Sequence, residues 1–161
     1  MQYLSTADQR AIEQTYKITV IIALAFCFTP LLLVGLAWIL GAQHAVITDP
    51  ERYLLLNKAA YGGALVAGLI VVGLRRFWTN VLLRAGKGKR PAATVLNQLR
   101  LLAILSGVFG ELVAILGFVA YSLTADFQFC WRLGVVGLLL ILYSFPRRGE
   151  WERAVAQNAQ A

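Results

Sequence analysis

The sequence predicts an all-α membrane protein with four transmembrane helices and with both termini in the cytoplasm. Two observations predict this fold class. Apolar residues make up 59% of the 161 residues and charged residues only 14%, whereas about a quarter of residues are charged in soluble domains. The apolar residues also fall into four blocks that charged segments separate, and each block is long enough to cross a bilayer.

The first block, residues 18–41, follows a polar N-terminal segment, residues 1–17, that we place in the cytoplasm. The block contains no charge and is longer than the roughly 7–15 apolar residues of a cleaved signal peptide, so we expect a retained span. Pro30 near its middle indicates a kink, which neighbouring helices tolerate in membranes.

The second block, residues 53–74, is rich in small residues at a spacing of four. Such rows allow close approach of neighbouring helices and predict packing inside a bundle or an oligomer. The two rows are Ala60, Ala64 and Gly68, and Ala59, Gly63 and Ala67.

A basic middle segment, residues 75–100, separates the second block from the third. We predict a solvated cytoplasmic loop, and the alternative is a docking surface for a protein partner. The cations that would form this surface are Arg84, Lys87, Lys89 and Arg90. The glycines among them do not form a phosphate-binding loop, because the pattern GxxxxGK[ST] is absent.

The third and fourth blocks, residues 101–125 and 127–146, complete the predicted domain of residues 18–146. A cytoplasmic tail, residues 147–161, follows them. We expect the last ten residues to be frayed and Trp151 to lie at the membrane interface.

The distribution of positive charge predicts the orientation. Twelve of the fifteen Lys and Arg residues fall on the side of the termini and the middle segment, and the exceptions are Arg52, Lys58 and Arg132. This is the positive-inside pattern, and we expect a bacterial-type inner membrane, with an organelle membrane as the alternative. Attraction to anionic headgroups accounts for the net charge of +7, so no nucleic-acid partner is expected.

The sequence offers little for metal or catalytic chemistry. Cys27 and Cys130 lie at different depths, His44 is the single histidine, and neither CxxC nor HExxH occurs. A nucleophile with its base and orienting group is not recognisable either. We therefore expect no metal, no cofactor and no enzymatic activity.

Glu111 is the only charge in the third block and lies two residues from its midpoint. An ionisable side chain at that depth costs roughly 3 kcal/mol on insertion scales and is a functional-site hypothesis by default. Desolvation disfavours the charged form, so we expect a neutral side chain that binds a proton or a cation. A backbone carbonyl or Ser106 would be its hydrogen-bond partner. The alternative is a structural hydrogen bond between helices.

A row of small residues adjoins this carboxyl group at helical spacing and consists of Gly107, Gly110, Ala114 and Gly117. Another helix can approach closely along such a row. We therefore expect Glu111 to face protein and not lipid.

The third block resembles the carboxylate helix of the proteolipid subunit (subunit c or K) of rotary ATP synthases. That helix commonly reads E-x-x-A-I-x-G-x-V, and Glu111, Ala114, Ile115, Gly117 and Val119 match it in register. The preceding Lys89-Arg90-Pro91 is similar to the family's Arg-x-Pro loop. The resemblance covers about residues 59–124, but the family's alternating glycines are not kept and extra spans flank the hairpin.

The resemblance implies a proteolipid-like hairpin with Glu111 in the ion-binding position. Together with the composition, it predicts a small membrane subunit that binds a proton or a cation and takes part in ion translocation. The alternative is a non-catalytic accessory or assembly subunit of a larger membrane complex. The expected partners are the lipid bilayer and either other membrane subunits or further copies of this chain.

Overall fold

In the computed structural model, residues 6–41, 47, 49–84 and 91–160 are described, and every secondary-structure element within them is an α-helix. Five helices follow one another: α1 (Thr6–Leu40), α2 (Pro50–Arg84), α3 (Ala92–Thr124), α4 (Phe127–Tyr143) and α5 (Arg148–Gln160). The all-α prediction is confirmed for the described part of the chain.

Three of the described helices are long and apolar enough to cross a membrane, over Asp8–Leu40, Pro50–Phe77 and Ala92–Thr124. α4 has 17 residues, which corresponds to about 26 Å, slightly less than the bilayer core. α4 and α5 meet at a bend of 41° and count as a fourth span only when they are taken together. Three to four spanning helices are compatible with a multi-pass membrane protein.

α1, α2 and α3 are longer than the apolar blocks that predict them, whereas α4 ends three residues before the end of its block. α2 continues to Arg84 and α3 begins at Ala92, so most of the predicted loop 75–100 is helical, which corrects that prediction. The physical reason is that the helical parts of this segment are rich in Arg, Leu and Ala, which favour helices. Pro91 has no N–H and immediately precedes α3, where no helical hydrogen bond is lost. Of the predicted docking residues, Lys87, Lys89 and Arg90 lie outside the described residues, as does the side chain of Arg84.

The C-terminal segment is a helix that packs against the first turns of α1 and α3. Trp151 is only 3% exposed in a cluster with Ile12, Val95 and Leu96, and its ring meets that of Tyr16 edge to face at 5.9 Å. Trp151 therefore contacts other side chains of the protein, and residues 148–160 are helical where a frayed end was expected. The interfacial position of Trp151 stays a prediction. An apolar stripe on this polar helix, which includes Trp151, Ala154 and Val155, explains the difference.

α3 and α4 run antiparallel with their backbones in contact. A β-carbon on Gly137 would lie 2.5 Å from the carbonyl oxygen of Gly110, and one on Gly117 would lie 2.9 Å from the carbonyl oxygen of Phe129. Ala114 packs at the same contact, with its backbone nitrogen 3.3 Å from the added atom on Gly137. α4 therefore packs against the predicted row of small residues on α3.

α2 packs against this pair through one face, which carries Ala60 and Ala64 of the first row and Ala67 of the second. Ala60 and Ala64 are buried in a cluster with Val113, Phe129 and Leu133. In the second row, Ala59 and Gly63 are exposed, and Ala67 is the buried member. The bundle therefore uses one face of α2 and leaves the other open to lipid or to another protein.

The close contact of α3 with α4 generates a stability prediction. We expect Gly137→Ala to lower the free energy of unfolding by about 1–3 kcal/mol, because the added methyl group collides with the Gly110 carbonyl group. Gly62→Ala is the matched control, since nothing lies within 4 Å of its added carbon and an alanine favours the helix by up to about 1 kcal/mol. Denaturant titrations in detergent micelles measure both; equal effects would contradict the packing.

Candidate functional site

Glu111 lies on the α1-facing side of α3 and makes a hydrogen bond across the interface between these helices. The Oγ1 hydroxyl of Thr29 donates to Glu111 Oε1 at 2.6 Å. Both side chains are half-buried. Thr29 lies at the centre of the first apolar block and Glu111 near the centre of the third, so the pair lies midway along the apolar parts of both helices.

The contact requires a fixed register between α1 and α3, which run parallel. Phe26 packs its ring against the backbone of Gly107, one turn before Glu111. Further along, the hydroxyl of Tyr121 donates to the carbonyl of Ala37 at 2.9 Å and also to that of Gly41. These contacts on both sides of the pair keep Thr29 opposite Glu111.

Pro30 follows Thr29 directly and is fully buried. It has no N–H, so the carbonyl of Phe26 loses its usual donor within the helix. The adjoining turn of α1 packs on α4, where an added carbon on Gly134 would lie 2.7 Å from Val34, and Cys130 Sγ donates to the carbonyl of Leu33 at 3.7 Å. The segment that presents Thr29 is therefore held by both α3 and α4.

The carboxyl group of Glu111 and the hydroxyl of Thr29 determine what this site can bind. No ion pair reaches the carboxyl group of Glu111 from the described residues. Among them, the hydroxyl of Thr29 is the only hydrogen-bond donor to this carboxyl group. A hydroxyl stabilises either a carboxylate or the carbonyl oxygen of a neutral carboxyl group. The arrangement is therefore able to bind one proton on the carboxyl group without first breaking the contact with α1.

The hydrogen-bond partner differs from the one that the sequence favours. Ser106 Oγ is buried and has no hydrogen-bond partner in the described part of the protein, and it does not reach Glu111. Five residues along a helix correspond to a rotation of about 140°, so the two side chains point to different faces of α3. The expectation of Ser106 as the partner is corrected to Thr29.

The row of small residues divides between two neighbours. Gly110, Ala114 and Gly117 contact α4, whereas Gly107 contacts Phe26 of α1. Glu111 thus lies beside the α4 contact and on the side of α1, and it remains half-buried because neither helix covers it completely.

Sequence reasoning missed Thr29. The one signal that points to it is its depth, because Thr29 is a hydroxyl residue at the centre of the first apolar block, as Glu111 is near the centre of the third. Depth alone does not say that α1 and α3 are neighbours, or which faces they share.

Metal chemistry finds no support in the described ranges, 6–41, 47, 49–84 and 91–160. No group of three or more His, Cys, Asp or Glu side chains comes together there. Cys27 and Cys130 are both free thiols.

No protein-family model, no curated protein and no solved structure matches this chain.

The Thr29–Glu111 contact generates a prediction about coupling. In a double-mutant cycle of Thr29→Val and Glu111→Leu, we expect a coupling energy of about 0.5–1.5 kcal/mol, the usual range for hydrogen bonds between membrane helices. Thr29→Ser, which keeps the hydroxyl, is the control and should retain most of the coupling. Unfolding titrations in micelles measure each variant, and additivity within about 0.3 kcal/mol would show that the bond contributes nothing.

Proposed function

We propose that this chain is a small, non-catalytic, multi-pass membrane subunit in which Glu111 binds and releases a proton as part of ion translocation. The observation that supports this most is the half-buried carboxyl group of Glu111 at mid-span, with a hydroxyl donor from a second helix and no cation paired to it among the described residues. Ionisable groups at this depth are costly, and they typically belong to ion pathways and proton relays.

A proton suits this site better than a metal cation. Hard cations such as Ca²⁺ require six to eight oxygen ligands, and Mg²⁺ requires a nearly complete octahedron. The described side chains offer only the carboxyl group of Glu111 and the hydroxyl of Thr29 at this position. A proton needs a single oxygen, so these two side chains suffice for a proton, whereas Ca²⁺ or Mg²⁺ would need further ligands.

The resemblance to rotary proteolipids favours the same chemistry. It puts Glu111 in register with the carboxyl group that binds the ion in that family. Thr29, however, lies on α1, outside the segment 59–124 that carries the resemblance. A proton site in this chain therefore uses a helix that a two-helix proteolipid hairpin does not have, and we do not propose a rotor subunit.

The partners that we propose are lipid and other membrane subunits or further copies of this chain. Large apolar side chains such as Leu55, Leu65 and Ile39 are 70%, 67% and 83% exposed along the helices. We further propose four spans with both termini in the cytoplasm of a bacterial-type cell. The beginnings of α1 and α3 pack with α5 at one end of the bundle. We call it the basic end, because the described helix segments that meet there carry Arg10, Arg75, Arg100, Arg148 and Arg153.

The second candidate is an accessory or assembly subunit, in which Glu111 is structural. One observation favours it: the hydrogen bond to Thr29 already joins two helices, as a structural contact would. The two candidates differ in whether the proton on Glu111 exchanges.

Carbodiimide labelling tests whether Glu111 takes up a proton. Dicyclohexylcarbodiimide reacts with protonated carboxyl groups in apolar surroundings, so we expect it to modify Glu111 in membranes, faster at lower pH. Mass spectrometry locates the adduct. Glu111→Gln should abolish the adduct and Glu51→Gln, at the exposed start of α2, should not. Absence of labelling at every pH would contradict a proton-binding site.

Two substitutions at Glu111 then separate the candidates. Gln keeps the shape and the acceptor oxygen but does not titrate, whereas Leu removes both. If protons are translocated, both variants should lose pH-driven proton flux in liposomes while Glu111→Gln still folds. If Glu111 is structural, Glu111→Gln should behave as wild type, whereas Glu111→Leu should lose assembly. The mass of the complex in mild detergent measures assembly.

The proposed orientation has its own test. An epitope placed after Ala161 should be accessible to antibody in inverted bacterial membrane vesicles and inaccessible in intact cells, because the basic end remains on the cytoplasmic side. An epitope inserted between Gly41 and Asp49 is the control and should give the reverse pattern. Exposure of both epitopes on the same side would contradict four spans.

A further inference from the structure

A small cavity of about 50 Å³ lies at the basic end of the bundle, where α2, α3, α4 and α5 meet. Four of its lining side chains are polar, and each comes from a different helix or helix end: Arg75, Ser106, Ser144 and Glu150. The remaining walls are mainly apolar and include Leu102 and Trp151. The cavity does not include Glu111 or Thr29.

Ser106 lacks the side-chain hydrogen bond that several other serine and threonine residues of the bundle make. Its side chain is 0% exposed, and its Oγ has no hydrogen-bond partner in the described part of the protein. Serine and threonine in helices usually donate to the carbonyl four residues earlier. In this chain Thr19, Ser122, Thr124 and Ser144 all do so. Ser106 lines the cavity without such a bond, although a buried hydroxyl that lacks a partner is unfavourable.

Two charged side chains of the cavity wall form an ion pair. Arg75 Nη2 lies 3.3 Å from Glu150 Oε1, and the guanidinium carbon of Arg75 lies 4.7 Å from the centre of the Tyr143 ring. The side chain of Arg75 is 17% exposed and that of Glu150 is 46% exposed. The pair therefore joins α2 to α5 at the wall of the cavity.

We propose that this cavity is a water-filled inlet that hydrates Ser106 from the basic end of the bundle, with the Arg75–Glu150 pair across its mouth. Its volume exceeds the roughly 10–15 Å³ that one water molecule needs, and its polar walls supply the two to four partners that a buried water requires. Water would satisfy the hydroxyl of Ser106, for which the described side chains offer no partner.

The inlet has a defined inner end. Leu99, Leu102, Ala103 and Ser106 form one stripe of α3 along the cavity, and the next residue of that stripe is Gly110, whose backbone packs on Gly137. Solvent would thus reach a point about 7.5 Å along α3 from Glu111 and stop at the α3–α4 contact. This inference does not depend on whether Glu111 binds a proton.

Silver-ion accessibility tests the proposal in the full chain. Silver ions are small, do not enter hydrocarbon and react with thiolates, which form where water reaches. In a Cys27→Ala, Cys130→Ala background reconstituted into phosphatidylcholine vesicles, we expect Ser106→Cys to react at least about tenfold faster than Leu105→Cys. Leu105 is adjacent and 36% exposed on the outside of the bundle, so it controls for depth. Adding Glu150→Gln should speed the Ser106→Cys reaction further.

A rate for Ser106→Cys no greater than that for Leu105→Cys would overturn the inlet. If Ser106→Cys does not fold, Ser144→Cys reports on the same cavity with the same two outcomes. Ser106→Ala gives an independent readout in the thermal midpoint. A hydrated hydroxyl predicts a lower midpoint in the variant, because bonds to water are lost. A higher midpoint would show a dry, unpaired hydroxyl and would count against the proposal.

Discussion

The hydrogen bond between Thr29 and Glu111 is the constraint on which the centre of this bundle depends. A carboxyl group midway along an apolar helix needs a polar partner, and its own helix does not supply one in this structure. The partner comes from α1, which must therefore hold a fixed register on α3. The packing of Phe26 on Gly107 and the hydroxyl of Tyr121 on the end of α1 hold that register on either side of the pair.

The bundle places polar groups at three levels along otherwise apolar helices. Tyr121 joins α1 to α3 at one end, Glu111 and Thr29 meet at the middle, and Arg75 and Glu150 join α2 to α5 at the basic end. The α3–α4 glycine contact begins at the level of Glu111 and runs from there towards the end that carries Tyr121. The cavity at the basic end is lined by Ser106 of α3 and does not include Glu111.

Features that depend on local periodicity or on composition could be predicted from the sequence. The four predicted apolar blocks lie largely within α1 to α4. A neighbouring helix also packs against the small residues of α3, as their spacing predicts. The choice of Thr29 over Ser106 could not be predicted, because it depends on which faces of two helices meet, and these helices lie about eighty residues apart in the chain. α5 was also missed, since the three apolar residues of its buried stripe are too few to stand out in a polar tail.

Infrared difference spectroscopy tests the central claim, that Glu111 exchanges a proton inside the membrane, most directly. Spectra of the protein in lipid bilayers at low and neutral pH, compared with those of Glu111→Gln, isolate the C=O stretch of that one carboxyl group. A protonated-carboxyl band that appears at low pH, disappears reversibly at neutral pH and is missing from the variant is the result that we predict. A band that does not change over the accessible pH range, or no difference between wild type and variant, would contradict the account and assign Glu111 a structural role.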